Sequence, residues 1–480
     1  MRLHTVDLVI IVVYLAGITL FGLRFRKSQR SLRDYFLADR NIPWWAIGLS
    51  IVAAETSTLT IISTPGIAYG GNFGFLQVVF GYLLGRVVIS LILIPQYFRG
   101  EMFTAYELID RRFGAALHRL TAGVFLVTRA AAEGVRVWAI SIVVGIALGI
   151  ERHDILAIAI VIALTLIYTF EGGMAAVIWT DVIQMFIYVG GTIVGFIVLT
   201  HLVPGGWPFI HSSAAEAGKL QVFNFSFNFF DKYTFWAGLI GGMFLTTASH
   251  GTDQLMVQRL LAARNQRDSK IALLSSGLVI LAQFTLFLLV GAGLWVFYRM
   301  YPPTTPFTSP DRIFPTFIVN HMPQGISGLL IAAILAAAMS NLSAALNSLS
   351  STSMMDFYLR LRPETPERKK LLFSRTATFV WGIVLFALAI AARGKGAVLE
   401  LGLSIASVAY GGLLGVFLLG VLTKRAKQTG AIVGMICGLA LNIYIWKWTR
   451  VPFTWYVTLG SITTFVIGYL ASLLEPQHGD

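Results

Sequence analysis

The chain has 480 residues, of which 56% are apolar and only 12% are charged, whereas a soluble domain carries about 25% charged residues. Its mean hydropathy of +0.75 excludes a soluble globular protein and predicts a polytopic membrane protein. Lys and Arg outnumber Asp and Glu by 36 to 23, but they gather in loops between apolar runs, which argues against nucleic acid as a partner. The single cysteine, Cys437, allows no disulfide framework.

Runs of about 20 predominantly apolar residues predict membrane-spanning helices. The sequence contains thirteen, which we number spans 1 to 13, at approximately 6–25, 44–70, 74–98, 119–149, 154–170, 176–202, 233–257, 271–299, 325–355, 372–392, 397–423, 429–448 and 453–474. Span 1 precedes its basic cluster, the reverse of a cleaved signal peptide, so we expect it to be retained. The longest predicted loop, 203–232, is too short for a separate soluble domain, so residues 1–480 form one transmembrane domain.

Most Lys and Arg residues lie in alternate loops, above all in 24–40, 99–119, 259–270 and 360–375. Cytoplasmic loops carry an excess of these residues, so the distribution places the N-terminus outside and the C-terminus inside. We expect a multi-pass protein of the plasma membrane, which is the inner membrane in a bacterium, and a functional monomer.

Several functional classes are disfavoured by what the sequence lacks. It has no G-x-x-x-x-G-K-[ST] phosphate loop and no room for an NTPase domain, which argues against an ATP-driven pump. It has no Cys or His cluster with zinc-ligand spacing, and of its eight histidines only His250 lies clearly inside a span. A secondary transporter, a channel or an intramembrane enzyme remains, and an enzyme would need a nucleophile–base pair that the spans do not offer.

Span 2 is unusual along its length. The stretch IVAAETSTLTIISTPG at 51–66 places Glu55 inside an apolar run, follows it with hydroxyl residues and ends on Pro65–Gly66. A charged residue at the bilayer centre costs roughly 2.5–3.5 kcal/mol on insertion scales, while Ser, Thr and Pro weaken a helix. One interpretation is a broken helix whose carbonyls bind a small cation. The other is a structural glutamate paired with a buried arginine.

Span 9 carries a stripe of small and hydroxylic residues. Ser340, Asn347 and Ser351 recur on one helical face beside Ala337, and Ser343 flanks the stripe. Such a stripe serves close helix packing, the commoner explanation for this spacing. It also offers hard oxygen ligands for sodium.

Span 4 contains Arg129, Glu133 and Arg136 on one helical face, where Glu133 can bridge both arginines. A neutralising internal network is one interpretation, and the other is that an arginine with spare donors receives an anionic substrate group.

Two further spans carry polar residues. Asp181 in span 6 is a candidate for an ion exit path or a helix cap, and Ser249, His250 and Asp253 lie near the inner end of span 7. A lone buried histidine such as His250 is more often a satisfied core residue than a proton carrier.

Six strings in the chain resemble the sodium:solute symporter family, which includes sodium/glucose, sodium/proline and sodium/sialic acid cotransporters. They occur in family order and are DYFLADRNIPWWAIGLS (34–50), TAYELIDRRFG (104–114), EGGMAAVIWTDVIQ (171–184), DQLMVQRLLAAR (253–264), AAAMSNLSAALNS (336–348) and GGLLGVFLLG (411–420). The resemblance implies an all-α LeuT-type fold with two inverted repeats of five spans. By our span numbering these are spans 2–6 (44–202) and 7–11 (233–423), with span 1 (6–25) and spans 12–13 (429–474) peripheral.

The resemblance also implies sodium as the coupling ion. Its ligands would be the carbonyls of Ala53, Thr56 and Ala337 and the hydroxyl of Ser340, with Asn341 standing where the family usually has a second Ser or Thr. Some members hold a second sodium through residues that match Asp181, Ser340, Ser343 and position 344. Because residue 344 is Ala, a second sodium is not favoured. Asp181 and Ser343 are therefore candidates for a second sodium site or for the route by which sodium leaves.

The substrate positions of the family point away from a sugar. The sugar transporters' glutamate and glutamine fall on Leu59 and Thr60, and their inner-gate tyrosine falls on Ser249. The proline transporter has an aspartate where Glu55 stands, and sialic acid transporters use an arginine of span 4. The substrate-binding candidates are Glu55, Thr58, Thr60, Arg129, Arg136, Thr246, Ser249 and His250.

We therefore expect a sodium-coupled symporter that takes up a small polar organic solute by alternating access, with an organic acid or amino acid favoured over a sugar. Its partners would be the solute, sodium and the lipid bilayer. Glu55 would lie beside the cation site, where sodium or Arg136 balances its charge. Proton coupling through Glu55 or His250 is the alternative, since a buried acid can carry a proton, and a channel fits less well.

Overall fold

In the computed structural model, the described residues are 3–24, 38–99, 105–150, 152–168, 173–303, 305–362 and 364–474. The regular structure in these ranges is helical, and the described residues contain no strand beyond one isolated bridge between Ile42 and Ala263. The predicted all-α architecture is confirmed. Most of the basic cluster after span 1 lies outside the described residues.

The predicted spans correspond to helices as follows. Uninterrupted helices form spans 1, 4, 5, 6, 8 and 10 to 13, at Thr5–Arg24, Ala115–Leu148, Asp154–Tyr168, Gly173–Leu202, Gln266–Met300, Glu367–Ala392, Val398–Leu422, Gln428–Trp448 and Tyr456–Leu474. Span 3 consists of Leu76–Val88, a π-helical turn at Ile89–Leu93 and Ile94–Tyr97, and span 9 is Ile326–Thr352 followed by a π-helical turn at Ser353–Tyr358. Connecting helices lie at Glu107–Phe113, Gly206–Glu216 and Ile313–His321.

Nine helices within the described residues are long and apolar enough to cross a membrane, and the bent pair of span 2 makes a tenth. Spans 1 and 5 contain shorter apolar stretches, Thr5–Phe21 and Asp154–Leu166. The count of thirteen spans, the repeat boundaries and the orientation of the termini remain predictions.

Span 2 is broken, as the hydroxyl-rich sequence predicts. Its first half is Trp44–Glu55, its second half is Thr58–Gly70, and the two are bent by 63°. Thr56 has φ −84° and ψ 72°, outside the helical region. The prediction was wrong about Pro65–Gly66, which lie inside the second half and do not interrupt it. Close packing holds the helix there, since a Cβ on Gly66 would lie 2.7 Å from the Pro310 carbonyl oxygen.

Span 7 is also broken, which the sequence analysis did not predict. A π-helical turn at Ala237–Gly241 and the helix Gly242–Gly251 form its first half, and Gln254–Leu261 forms its second half. The Asp253 carboxylate accepts the Leu255 amide at 2.9 Å and caps the second half. The first span of each predicted repeat is therefore interrupted, span 2 at Thr56–Ser57 and span 7 at Thr252–Asp253, and interrupted helices are where transporters of this general design bind their cargo.

Span 1 is closely tied to span 9. The buried carboxylate of Asp7 accepts the amides of Gly325 at 2.7 Å and Gly328 at 3.0 Å, at the start of span 9. A carboxylate at a helix N-terminus satisfies free amides and complements the helix dipole. Span 1 thus fixes the N-terminal end of the helix that carries the predicted sodium ligands.

Candidate functional site

The break in span 2 leaves two carbonyl groups without their normal helical partners. In a continuous helix the amides of Ser57 and Thr60 would bond the carbonyls of Ala53 and Thr56. Here the Ser57 amide donates to Glu55 at 3.0 Å and the Thr60 amide donates to Ser57 at 2.9 Å. The oxygens of Ala53 and Thr56 are therefore available for a ligand, and both residues are buried.

Glu55 is paired with an arginine that the sequence analysis did not single out. Its carboxylate forms an ion pair with Arg86 of span 3. Arg86, only 1% exposed, also donates to the Ser276 hydroxyl at 3.2 Å and to the Tyr82 carbonyl at 3.2 Å. The expectation that Arg136 balances Glu55 was wrong, because Arg86 already faces that carboxylate. The broken helix of the first interpretation and the buried arginine of the second occur together, and cation binding by the freed carbonyls stays a prediction.

His250 lies beside the break in span 7 and contacts Glu55 beside the break in span 2. It lies in the last turn of the first half of span 7, and its Nε2 is 3.3 Å from the Glu55 carboxylate. Its Nδ1 is 2.9 Å from the hydroxyl of Ser249. Thr58 and Thr246 are buried beside the two breaks, and the Thr58 hydroxyl has no hydrogen-bond partner among the described residues.

The predicted network in span 4 is present. Glu133 accepts Arg129 at 3.0 Å and Arg136 at 2.6 Å through the same carboxylate oxygen. Arg129 also lies 3.8 Å from Asp253 in the break of span 7, and Asp253 accepts the Tyr410 hydroxyl of span 11 at 3.1 Å. The Nε groups of both arginines are buried and have no partner in the described part of the chain. The network therefore keeps unpaired guanidinium donors, and Arg129 brings it to the break of span 7.

Asp181 forms an ion pair with an arginine side chain of the protein. Its carboxylate accepts the Ser50 hydroxyl at 2.7 Å and Arg259 of the second half of span 7 at 2.9 Å, and Arg259 also donates to Ser50 at 3.0 Å. This triad joins span 6 to the first half of span 2 and the second half of span 7. The helix-cap interpretation was wrong, because Asp181 lies well inside the helix Gly173–Leu202.

The span 9 residues lie on an unbroken helix that packs against spans 4 and 6 and against the second half of span 2. Ala337 and Ser343 are buried, and Ser340 and Asn341 are half-buried. In the part of the chain that the structure describes, the side chains of Ser340 and Asn341 make no hydrogen bond to protein, so their oxygens are available to a ligand.

Sequence reasoning missed Arg86, Arg259 and the role of Asp253. A basic residue within an apolar run is by itself a reason to suspect a site, and Arg86 met that condition. Arg259 was placed in a loop because span 7 was predicted as one helix ending at 257.

Comparisons with known proteins agree with one another. The model of the sodium:solute symporter family matches residues 35–438. The sodium/sialic acid symporter NanT of Aliivibrio fischeri is 28% identical over 477 residues, covering 98% of this chain and 93% of that protein. The sodium/sialic acid symporter SiaT of Proteus mirabilis is 29% identical over 485 residues, covering 99% and 97%. A solved structure of a Na+-coupled sialic acid symporter, in a substrate-bound outward-open state, matches with a TM-score of 0.85 at 28% identity over 98% of both chains.

Proposed function

The chain belongs to the sodium:solute symporter family, and from that premise we propose that it takes up a small organic acid together with sodium by alternating access. It is a multi-pass membrane transporter and not an enzyme, and sodium is its coupling ion. The observation that carries the proposal is the break in span 2, which frees the carbonyls of Ala53 and Thr56.

The proposed sodium site combines this break with span 9. The carbonyls of Ala53, Thr56 and Ala337 and the Ser340 hydroxyl supply neutral oxygen ligands, and the Asn341 amide oxygen completes the set. Glu55 already has Arg86 as its partner, so the sodium charge is met by carbonyl and hydroxyl dipoles. This suits an ion that must also be released.

Asp181 and Ser343 are assigned to the release route of sodium. Asp181 is held by Arg259 and Ser50, so an ion can use this carboxylate only after the second half of span 7 moves away. A second resident sodium is not proposed, because residue 344 is Ala.

The proposed substrate is an anion. Arg129 and Arg136 have buried donors without partners, and a buried guanidinium suits a carboxylate. The relatives named above are sialic acid symporters, which supports an organic acid over a neutral sugar. The proposed substrate-facing residues are Glu55, Thr58, Thr60, Arg129, Arg136, Thr246, Ser249 and His250. We place the protein in the plasma membrane, the inner membrane of a bacterium.

Uptake into proteoliposomes tests the function. Organic acids, amino acids and sugars are first screened by thermal stabilisation with and without sodium, because a bound ligand raises stability by mass action. The stabilising solute should then accumulate inside vesicles only when sodium is higher outside. Potassium in place of sodium is the control. Accumulation driven by a pH gradient in sodium-free buffer would instead establish proton coupling, for which the contact between Glu55 and His250 offers a site.

A further inference from the structure

A second group of polar side chains is buried where spans 6 and 8 pack against the first half of span 2. It consists of Thr56 in the break, Tyr188 in span 6 and Gln283 in span 8. Thr56 and Tyr188 are fully buried and Gln283 is 4% exposed. The Tyr188 hydroxyl lies near the side chains of both Thr56 and Gln283, but it makes no hydrogen bond of normal distance and angle with either of them. The group therefore brings three separate helices together at the residue whose carbonyl is a proposed sodium ligand.

The polar atoms of this group lack hydrogen bonds of normal geometry. The Thr56 hydroxyl, the Tyr188 hydroxyl and both amide atoms of Gln283 have no partner among the described residues. Buried polar groups are almost always hydrogen-bonded, and a buried water commonly completes the bonds that protein atoms do not make. The chemistry of the set fits water, because two hydroxyls can donate or accept and the amide offers one donor group and one acceptor.

A cation fits the same set less well. The Gln283 amide nitrogen can only donate, so it would face a positive charge. The two carboxylates that act electrostatically on Tyr188 are those of Glu55 and Asp181. Each already has its own arginine, Arg86 and Arg259.

We propose that Tyr188 and Gln283 are positioning residues for the sodium site, which hold the Thr56 side chain through a shared buried water. Thr56 lies outside the helical region of φ and ψ. Its amide still donates to the Val52 carbonyl at 2.8 Å, but its own carbonyl does not accept the Thr60 amide as it would in a helix, so the surroundings of Thr56 set the direction of that carbonyl. Anchoring its side chain to spans 6 and 8 sets the orientation of its carbonyl. This inference rests on the proposed sodium role of Thr56.

Sodium titrations of uptake test the proposal in two variants, Tyr188→Phe and Gln283→Leu, which remove polar atoms with little change in size. Each should raise the half-saturating sodium concentration about five- to tenfold, the equivalent of one lost hydrogen bond. The half-saturating solute concentration at saturating sodium should stay unchanged. Thr56→Val, which keeps the carbonyl but removes the hydroxyl, should give a similar shift, and its combination with Tyr188→Phe should be less than additive.

Tyr298→Phe is the matched control, because its hydroxyl is also buried without a partner in the described residues but lies near the end of span 8, beside Phe307. It should leave the sodium dependence unchanged. Wild-type sodium dependence in both Tyr188→Phe and Gln283→Leu would refute the positioning role. A lower Hill coefficient for sodium at unchanged affinity would place a cation in this group and overturn the water-linked arrangement. If the wild type itself shows no sodium dependence, the proposed function fails instead.

Discussion

Glu55 carries a charge at an unfavourable place in its own helix. It is the last residue of the first half of span 2, and the C-terminal end of a helix dipole disfavours an anion. The Arg86 guanidinium and the nearby His250 ring compensate for both this dipole and the loss of water. The pair is therefore a condition for folding as well as a feature of the transport site.

Removing Arg86 alone should lower the stability of the protein more than removing both Arg86 and Glu55. Arg86→Gln leaves the Glu55 carboxylate buried beside a histidine only, and breaking a buried pair in this way costs about 3–5 kcal/mol. The double variant Glu55→Gln/Arg86→Gln should recover part of this loss in thermal unfolding in detergent. Arg111→Gln is the control, since the Arg111–Glu107 pair is at the surface, where such pairs contribute about 0–1 kcal/mol. Equal melting temperatures for Arg86→Gln and the wild type would contradict the pairing.

Ser340 is the side chain that tests the proposed sodium site most directly. Ser340→Ala removes a hydroxyl ligand from the cation, so the half-saturating sodium concentration should rise about tenfold or more. Ser327→Ala, a buried serine at the start of the same helix, is the control and should behave like the wild type in sodium titrations of uptake. An unchanged sodium affinity in Ser340→Ala would remove this residue from the site.

At the scale of elements, the second half of span 2 is hydrogen-bonded to the short turn Pro310–Arg312, which precedes the connecting helix Ile313–His321. The buried Asp311 carboxylate accepts the Ser63 hydroxyl at 2.5 Å and the Val398 amide at the start of span 11 at 3.1 Å. Ser63 also accepts the Leu399 amide at 3.2 Å. Among the described residues no Lys or Arg pairs with Asp311, and burial raises the pKa of its carboxyl. The half-helix, the turn and the start of span 11 are therefore expected to move as one unit.

Ser63→Ala should loosen this unit. It removes a donor to Asp311 and the acceptor of the Leu399 amide, so a loss of about 1–3 kcal/mol in unfolding free energy is expected. Thr64→Val provides a neighbouring control, because the Thr64 hydroxyl is buried without a partner in the described residues and its removal should not destabilise the protein. Unfolding in detergent compares the two variants. If both variants lose the same stability, the hydrogen bonds of Ser63 are not what stabilises this region.

At the scale of the whole molecule, the two predicted repeats pack closely against each other at a glycine of span 3. Span 3 of the first repeat packs against the first half of span 7 so closely that a Cβ on Gly81 would lie 2.7 Å from the Leu239 carbonyl oxygen and 2.8 Å from the Gly242 Cα. Backbone atoms of a packed helix cannot turn aside as a side chain can. The contact places Arg86, five residues further along span 3, beside the broken helices.

Gly81→Ala should therefore separate spans 3 and 7 and lower both stability and transport. Overpacking of this kind costs about 1–3 kcal/mol, and the shift should also weaken the contact between Glu55 and His250. Gly190→Ala in span 6 is the matched control, since a Cβ there would meet nothing within 4 Å. Thermal unfolding and uptake at equal protein density measure both effects. A Gly81→Ala variant that transports and melts like Gly190→Ala would contradict the close packing.

The sequence alone determined the features that depend on local chemistry. Long apolar runs require helices in a membrane, because lipid offers the backbone no other hydrogen-bond partners. The hydroxyl residues after Glu55 predicted the break in span 2, and Glu133 could be placed between Arg129 and Arg136 because helical spacing brings them to one face. The six family strings led to the correct family, and with it to sodium.

Only the tertiary structure decided which distant residues meet. Glu55 pairs with Arg86 and Asp181 pairs with Arg259, 31 and 78 residues further along the chain, and no local pattern specifies such partners. Span 7 contains no proline from which its break could have been predicted. The break is stabilised from outside, by the Tyr97 hydroxyl on the Gly251 carbonyl and by Tyr410 and Arg129 on Asp253. Helix composition is a property of neighbours in sequence, whereas the neutralisation of a buried charge depends on which helices pack together.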